Sequence, residues 1–278
     1  MDTLTSKPLD KQAALARRYG AAIPAAGPWN AMIAGQLEHR SVRSYKPDPL
    51  PTGTVETLIA AAQSAATSSN MQWWSAIAIT DPEKKKVLAE VAGGQKHIEQ
   101  CPLFIAWVAD MARHQRISEQ EKVEFESMPW LETFMVACID AALAAQNAVV
   151  AAESLGLGTV YIGAMRNDPV RVAKLLGLPR QSFVVVGLCV GYATEAGAGE
   201  VKPRLPQASV LHFERYDAAN ERAERRAYDA EMEKFSQRHE LQAGTWTQRV
   251  LNRLGPIRSM NGREKLRMVL ASLGFEIR

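Results

Sequence analysis

The chain has 278 residues, 47% of them hydrophobic and 23% charged, and a formal net charge of +3. It is long enough to bury a full core in one large or two small domains. It is too weakly basic to mark a nucleic-acid binder, although an anionic small ligand would suit it. Cys101, Cys138 and Cys189 stand in apolar contexts without C-x-x-C spacing, the pattern of reduced core thiols with no disulfide framework. The first residues, MDTLTSKPLDKQAALARR, hold no apolar stretch of signal-peptide length, so the expected location is the cytoplasm.

Taken in order, Leu9 to Ala22 alternates apolar and basic residues at helical spacing, and AAIPAAG breaks it, which predicts an N-terminal arm over residues 1–30. Pro28 is expected to open a helix over Trp29 to Leu37. After the proline-punctuated KPDPLP, Thr52 or Thr54 should cap a helix running to Ala65, followed by the polar loop Thr67-Ser68-Ser69-Asn70. Ser75 to Thr80 reads as a strand, and Asp81-Pro82-Glu83 as a capped helix start ending at Gly93-Gly94. Leu103 to Ala109 is a second strand, and the charged residues 112–127 an excursion with one short helix.

Leu131 to Glu153, rich in Ala, Leu, Met and Glu without Gly or Pro, predicts a long helix. At ~1.5 Å per residue it would span roughly 35 Å. Pro129 suits its first turn and Gly156 a left-handed cap. Apolar residues surround most of it, which points to packing on all sides. Asp140, Gln146 and Asn147 inside it argue against a membrane span. The β-branched Gly158 to Gly163 makes the next strand, Asn167-Asp168-Pro169 starts a helix ending near Gly177, and Phe183 to Gly191 is an apolar strand central in the sheet. From Glu214 the chain is charged and helical, with helices at Thr245–Asn252 and Gly262–Leu273. This last third lacks an obvious core and is read as packing onto one α/β domain, a sheet sandwiched by helices.

Two apparent motifs fail on order. Gly156-Leu-Gly158 and Gly163 follow a helix and precede a strand, the reverse of a dinucleotide-binding turn. His239-Glu240-Leu241-Gln242-Ala243 lacks the second His of a zinc-protease helix. Without a metal-ligand cluster or nucleophile motif, any reacting group is expected to come from a bound cofactor. What remains are basic loops: His39-Arg40-Ser41-Val42-Arg43 and Lys202-Pro203-Arg204 place guanidiniums, an ammonium and a hydroxyl where they would match phosphate oxygens. The basic tail beyond Trp246 leaves a non-catalytic binder of an anionic ligand or nucleic acid as the alternative.

Together with Gly93-Gly94-Gln95-Lys96-His97, Ala151 to Gly158, Tyr161-Ile162-Gly163 and Lys202 to Pro206, the His39–Arg43 segment resembles the FMN-dependent nitroreductase superfamily, in the branch of the oxygen-insensitive NADPH nitroreductase and NADPH–flavin oxidoreductases. The resemblance runs from about Ala31 to the C-terminus. It implies an α+β fold, a mixed β-sheet flanked by helices over residues 31–278, in an intertwined homodimer with the long central helix at its interface. It further implies FMN held by His39, Arg40, Ser41, Arg43, Lys202 and Arg204, with Gln95, Lys96 and His97 along the ring and ribityl chain. Tyr161, Ile162, Gly163 and Ala164 (a Gly in the usual pattern) would border the ring, and Thr67, Ser68 and Ser69 would reach in from the other subunit. The implied activity is ping-pong hydride transfer from NADPH, or NADH, to a small-molecule electron acceptor such as a nitroaromatic, quinone or flavin. Reductive dehalogenation and flavin fragmentation are rival chemistries of the superfamily. A fixed cation would stabilise the charge that hydride delivery leaves on the ring. Asn70 stands where an aromatic often lines the acceptor pocket, with Trp73 and Trp74 close behind. Arg238 is the candidate for the NADPH 2′-phosphate, but LQAG before Thr245-Trp246 lacks the second arginine. Neither a membrane nor nucleic acid is an expected partner.

Overall fold

The structure, a computed structural model, describes residues 10–197, 199–242 and 244–278. Residues 1–9 of the expected arm, and Ala243 of LQAG, lie outside the described residues. The first half of the chain forms α1 (Lys11–Tyr19), α2 (Ala31–Leu37), α3 (Thr54–Gln63), β1 (Trp74–Ile79), α4 (Pro82–Val91), α5 (Lys96–Gln100), β2 (Leu103–Asp110) and α6 (Ala112–Glu121). The second half forms α7 (Leu131–Ser154), β3 (Gly158–Ile162), α8 (Pro169–Leu176), β4 (Ser182–Gly191), α9 (Glu221–Arg238), α10 (Trp246–Leu254) and α11 (Leu266–Ser272). These divide into two compact units, one of the described residues to Arg40 with Glu200–Ser259, the other of Ser41–Gly199 with Met260–Arg278.

The second unit holds the sheet, in the order β1-β2-β4-β3 with every neighbouring pair antiparallel. β4 is internal, as its unbroken apolar run implies. The expected mixed sheet is corrected in one respect: the parallel pairing seen is the isolated bridge between Ser41 and Thr159. Strand direction is not legible from composition here, because helices cover both faces and every position of β2 is buried. Phe104, Ala106 and Val108 pack with Leu88, Ile98 and Val172 from α4, α5 and α8. Leu103, Ile105 and Trp107 pack on the opposite face with Leu58 of α3 and Ala141, Ala145 and Val149 of α7.

Local signals set several helix ends as expected. Asp81 caps α4 by accepting from the amides of Glu83 and Lys84. Asp168 caps α8 through Arg171, and Gly177 closes it in the left-handed region at φ 64°. Gly156 (φ 77°) ends α7, with the Leu157 amide donating to the Ala152 carbonyl at 3.0 Å. Other ends differ. α2 begins at Ala31, not at Trp29 after Pro28, because the Asn30 side chain accepts from the Ile33 amide at 2.9 Å. α3 stops at Gln63 and is preceded by Gly53 at φ 86° rather than capped by Thr52 or Thr54. The Thr54 hydroxyl instead donates to the Pro51 carbonyl. Trp130 occupies the cap of α7, leaving Pro129 outside its first turn. The expected Gly262–Leu273 helix breaks into a 3₁₀ turn at Arg263–Lys265 and α11.

α7 is not packed on all sides within the chain. One face is buried through Ala137, Ala141, Ala144 and Ala148, while Leu131, Met135, Ile139 and Leu143, spaced four apart, are 44–51% exposed. The last third is also not coreless. In the first unit, Tyr228, Met232 and Phe235 of α9 form a cluster of their own, joined by Leu205 and Trp246. α11 belongs to the other unit, where Leu270 and Phe275 pack with Met128, Ala137 and Phe183.

Candidate active site

In the first unit the polypeptide gathers both N-terminal and late basic segments. Buried Arg18 of α1 donates to the carbonyls of His39 at 2.8 Å and Lys202 at 2.9 Å, and the Arg204 amide donates back to the Arg18 carbonyl at 2.9 Å. His39 is half-buried; the side chains of Arg40 and Arg204 are exposed. The Lys202 ammonium lies 6.0 Å from the Phe235 ring centroid, and the Tyr228 hydroxyl donates to the Pro203 carbonyl at 2.9 Å. Burial raises the Tyr228 phenol pKa, against the nearby charge of Arg204. It therefore stays protonated and keeps that bond. Arg238 is already engaged: its guanidinium reaches Glu200 at 3.1 Å and sits 5.9 Å from the Phe235 ring. The hydrogen bond from Arg238 holds the Glu200 carboxyl below the usual carboxylate range.

In the second unit, residues 41–46 run along the sheet edge, the Val42 amide donating to Thr159 and the Lys46 amide to Tyr192. Val42 and Tyr45 point into the core, so Ser41 and Arg43 point out. Gly158 permits this approach, since a Cβ there would stand 2.6 Å from Val42. Gly93 and Gly94, both left-handed, turn the chain from α4 into α5. Gln95 stands at the cap of α5, and Lys96 and His97 lie in its first turn. Gln95 spends its amide on the Ala92 carbonyl, Lys96 is exposed, and His97 is buried in the first turn with its Nε2 lacking a hydrogen-bond partner among the described residues. Burial first, and Arg43 second, lower the His97 pKa, which favours the neutral imidazole.

At the β3 end, side chains and main chain play separate parts. The Ile162 and Ala164 side chains lie in the core and can offer a ligand only main-chain groups. Tyr161 faces outward, its hydroxyl 3.4 Å from Gln146. Gly163 faces Arg166, whose guanidinium would meet an added Cβ at 3.2 Å.

Thr67, Ser68 and Ser69 sit on a separate loop with no hydrogen bond, among the described residues, to Arg43 or His97. Ser69, Asn70 and Gln72 all adopt left-handed φ of 50–55°. Asp140 explains how that backbone persists. Only 1% exposed in the middle of α7, it accepts from the amides of Ser68 at 3.1 Å and Trp73 at 3.3 Å. From the other side, Arg113 donates to the Gln72 carbonyl, and the His114 ring stacks on Trp73 at 3.7 Å. Trp74 is buried against Trp107, so only Trp73 of the two tryptophans is part of the loop's surface. Asp140 and Arg18 are the residues that sequence reasoning missed. A carboxylate inside an apolar helix was a visible signal for the first; the second carried none.

A model of the nitroreductase family matches residues 37–192, and a model of that family's C-terminal domain matches residues 202–278. The chain belongs to the nitroreductase family. This family member is 38% identical over 228 residues to the FMN reductase (NADPH) of Bacillus subtilis (strain 168), covering 80% of this chain and 91% of that protein. It is 36% identical over 227 residues to the NADPH-flavin oxidoreductase of Vibrio harveyi, covering 81% and 91%. The solved structure of B. megaterium NfrA2 matches with a TM-score of 0.84 at 37% identity, over 90% of this chain and 100% of that one.

Proposed function

We propose that this nitroreductase-family chain is an FMN-dependent NAD(P)H oxidoreductase that reduces nitroaromatics, quinones or flavins with NADPH as donor. The observation that carries the reading is buried His97, whose Nε2 has no hydrogen-bond partner among the described residues and whose charged form is disfavoured by burial and by the charge of Arg43. A buried ring nitrogen without a partner, beside a cation, is what a polar anionic ligand completes. The residues fit FMN on that test. The first unit, taken by itself, offers Arg40, Lys202 and Arg204 as cations and the His39 ring as a polar group for a phosphate. The second unit, taken by itself, offers polar groups on Ser41, Arg43, Gln95, Lys96 and His97, and one aromatic face and main-chain groups from Tyr161 to Ala164, of the kind a ribityl chain and flavin ring would use.

The chemistry that FMN supplies when bound is two-electron exchange with both substrates in turn. The chain's part is electrostatic: Arg43 holds positive charge in place, and neutral His97 can donate or accept at one nitrogen without bringing a second charge. The Thr67, Ser68 and Ser69 hydroxyls take no hydrogen bond among the described residues, which leaves them available to a second copy's ligand. An intertwined homodimer, with the apolar stripe Leu131–Met135–Ile139–Leu143 as its seam, would give them that role and cover the stripe. The same reading makes it a cytoplasmic enzyme acting on a small molecule. The test is reconstitution with FMN followed by anaerobic addition of NADPH or NADH: a yellow protein that bleaches and regains colour with acceptor is expected. A protein that stays colourless, or whose colour neither nucleotide alters, overturns the reading.

A further inference from the structure

The family match begins at residue 37, so α1 lies outside it. Within its unit α1 is firmly seated: Arg17 pairs with Glu38 at 2.6 Å, and the Lys11 ammonium donates to the carbonyls of Ala26 and Gly27. Its Arg18 is 5% exposed, and one guanidinium serves three carbonyls. Nη1 donates to Lys202, and Nη2 to Leu37 and His39. Two of these acceptors lie where α2 ends and its carbonyls need partners; the third lies in a coil in which Pro203 and Pro206 have no amide to offer. A planar fork with fixed donors can bridge segments this far apart in sequence, whereas a point ammonium cannot hold all three.

We infer that Arg18 is a positioning residue for the phosphate end of the cofactor, holding the His39–Arg40 and Lys202–Arg204 segments as one preformed cationic surface. The inference rests on the FMN reading above. Arg18 faces main-chain carbonyls, so its effect on a ligand passes through the side chains those carbonyls carry. Gathering several cations is unfavourable, and meeting that cost during folding leaves less to be met on binding.

FMN and riboflavin, which differ in the phosphate alone, separate this role from general support. Both are titrated into the full-length apoprotein. Arg18→Met keeps the stem's bulk and removes the fork. It should weaken FMN about 10-fold and riboflavin less than about 2-fold. Arg18→Lys keeps the charge and covers the case in which the Met variant fails to fold; it should narrow the FMN preference roughly 3-fold. An FMN-to-riboflavin ratio equal to the unaltered protein's in a folded variant overturns the inference. So does an equal loss for both flavins, which marks a purely structural residue. Absence of FMN binding by the unaltered protein overturns the proposed function itself, and this inference with it.

Discussion

Asp140→Asn tests whether the serine loop is held by the central helix. The carboxylate is 1% exposed and accepts two amides, from Ser68 at 3.1 Å and Trp73 at 3.3 Å. A hydrogen bond to a charged group contributes about 1.5–3 kcal/mol, and both of these are long and only partly buried, which favours the lower figure. Asparagine keeps one acceptor oxygen and turns an NH₂ toward the remaining amide, so the loop should lose about 2 kcal/mol. Against it stand Ser69, Asn70 and Gln72, left-handed residues that each cost on the order of 1 kcal/mol. The loop should open locally while the core stays closed. Hydrogen exchange followed by mass spectrometry reads this directly: about 2 kcal/mol corresponds to roughly 30-fold faster exchange in the peptide covering residues 67–74. Exchange in β2, at the centre of the sheet, should not change. Wild-type exchange in the loop would refute the clamp, and faster exchange throughout β2 would show that Asp140 supports the whole core instead.

Ile139→Lys, on the uncovered face of α7, should convert a dimer to a monomer in sedimentation velocity, since burying such a side chain contributes about 1.5–3 kcal/mol per copy. A wild-type monomer, or a variant that still sediments as a dimer, would sink the seam. His97 has a folded-state pKa below its ordinary value of about 6.5, so its neutral form contributes stability above that pH and loses it as pH falls through the folded value. Arg43→Ala should raise the His97 pKa, followed by NMR of the ring protons; no change would remove Arg43 from its surroundings. Glu200→Gln should free Arg238 from its ion pair. Exposed pairs contribute under about 1 kcal/mol, so the KM for NADPH should fall roughly 2- to 3-fold with that for NADH unchanged. An equal effect on both nucleotides would show that Arg238 does not read the 2′-phosphate.

How much of this was readable beforehand depended on range. Asp81 and Pro82, Asp168 and Gly177, and Gly156 act on their own turns, so capping chemistry located those helix ends. Asn30 and Gly53 act locally too, but Pro28 and the nearby threonines offered competing signals of similar strength. The four strands were visible as short apolar or β-branched runs, although their antiparallel order was not, because a strand covered on both faces shows no alternation. The family resemblance supplied the fold and the cofactor expectation from motifs that are each only a few residues long.

Composition, caps and short motifs therefore decide where the elements of this chain lie and which polar residues seek a ligand, since these depend on neighbours within a turn or two. Folding alone decided that α7 shows solvent a single apolar face, because apolar residues surround that helix and no face stands out in its sequence. Folding also decided that Asp140 grips amides 67 and 72 residues away, and that Arg18 reaches the Lys202 carbonyl across 184 residues. A buried charge takes whichever unpaired main-chain groups the packed chain brings to it, and no local pattern records which those will be.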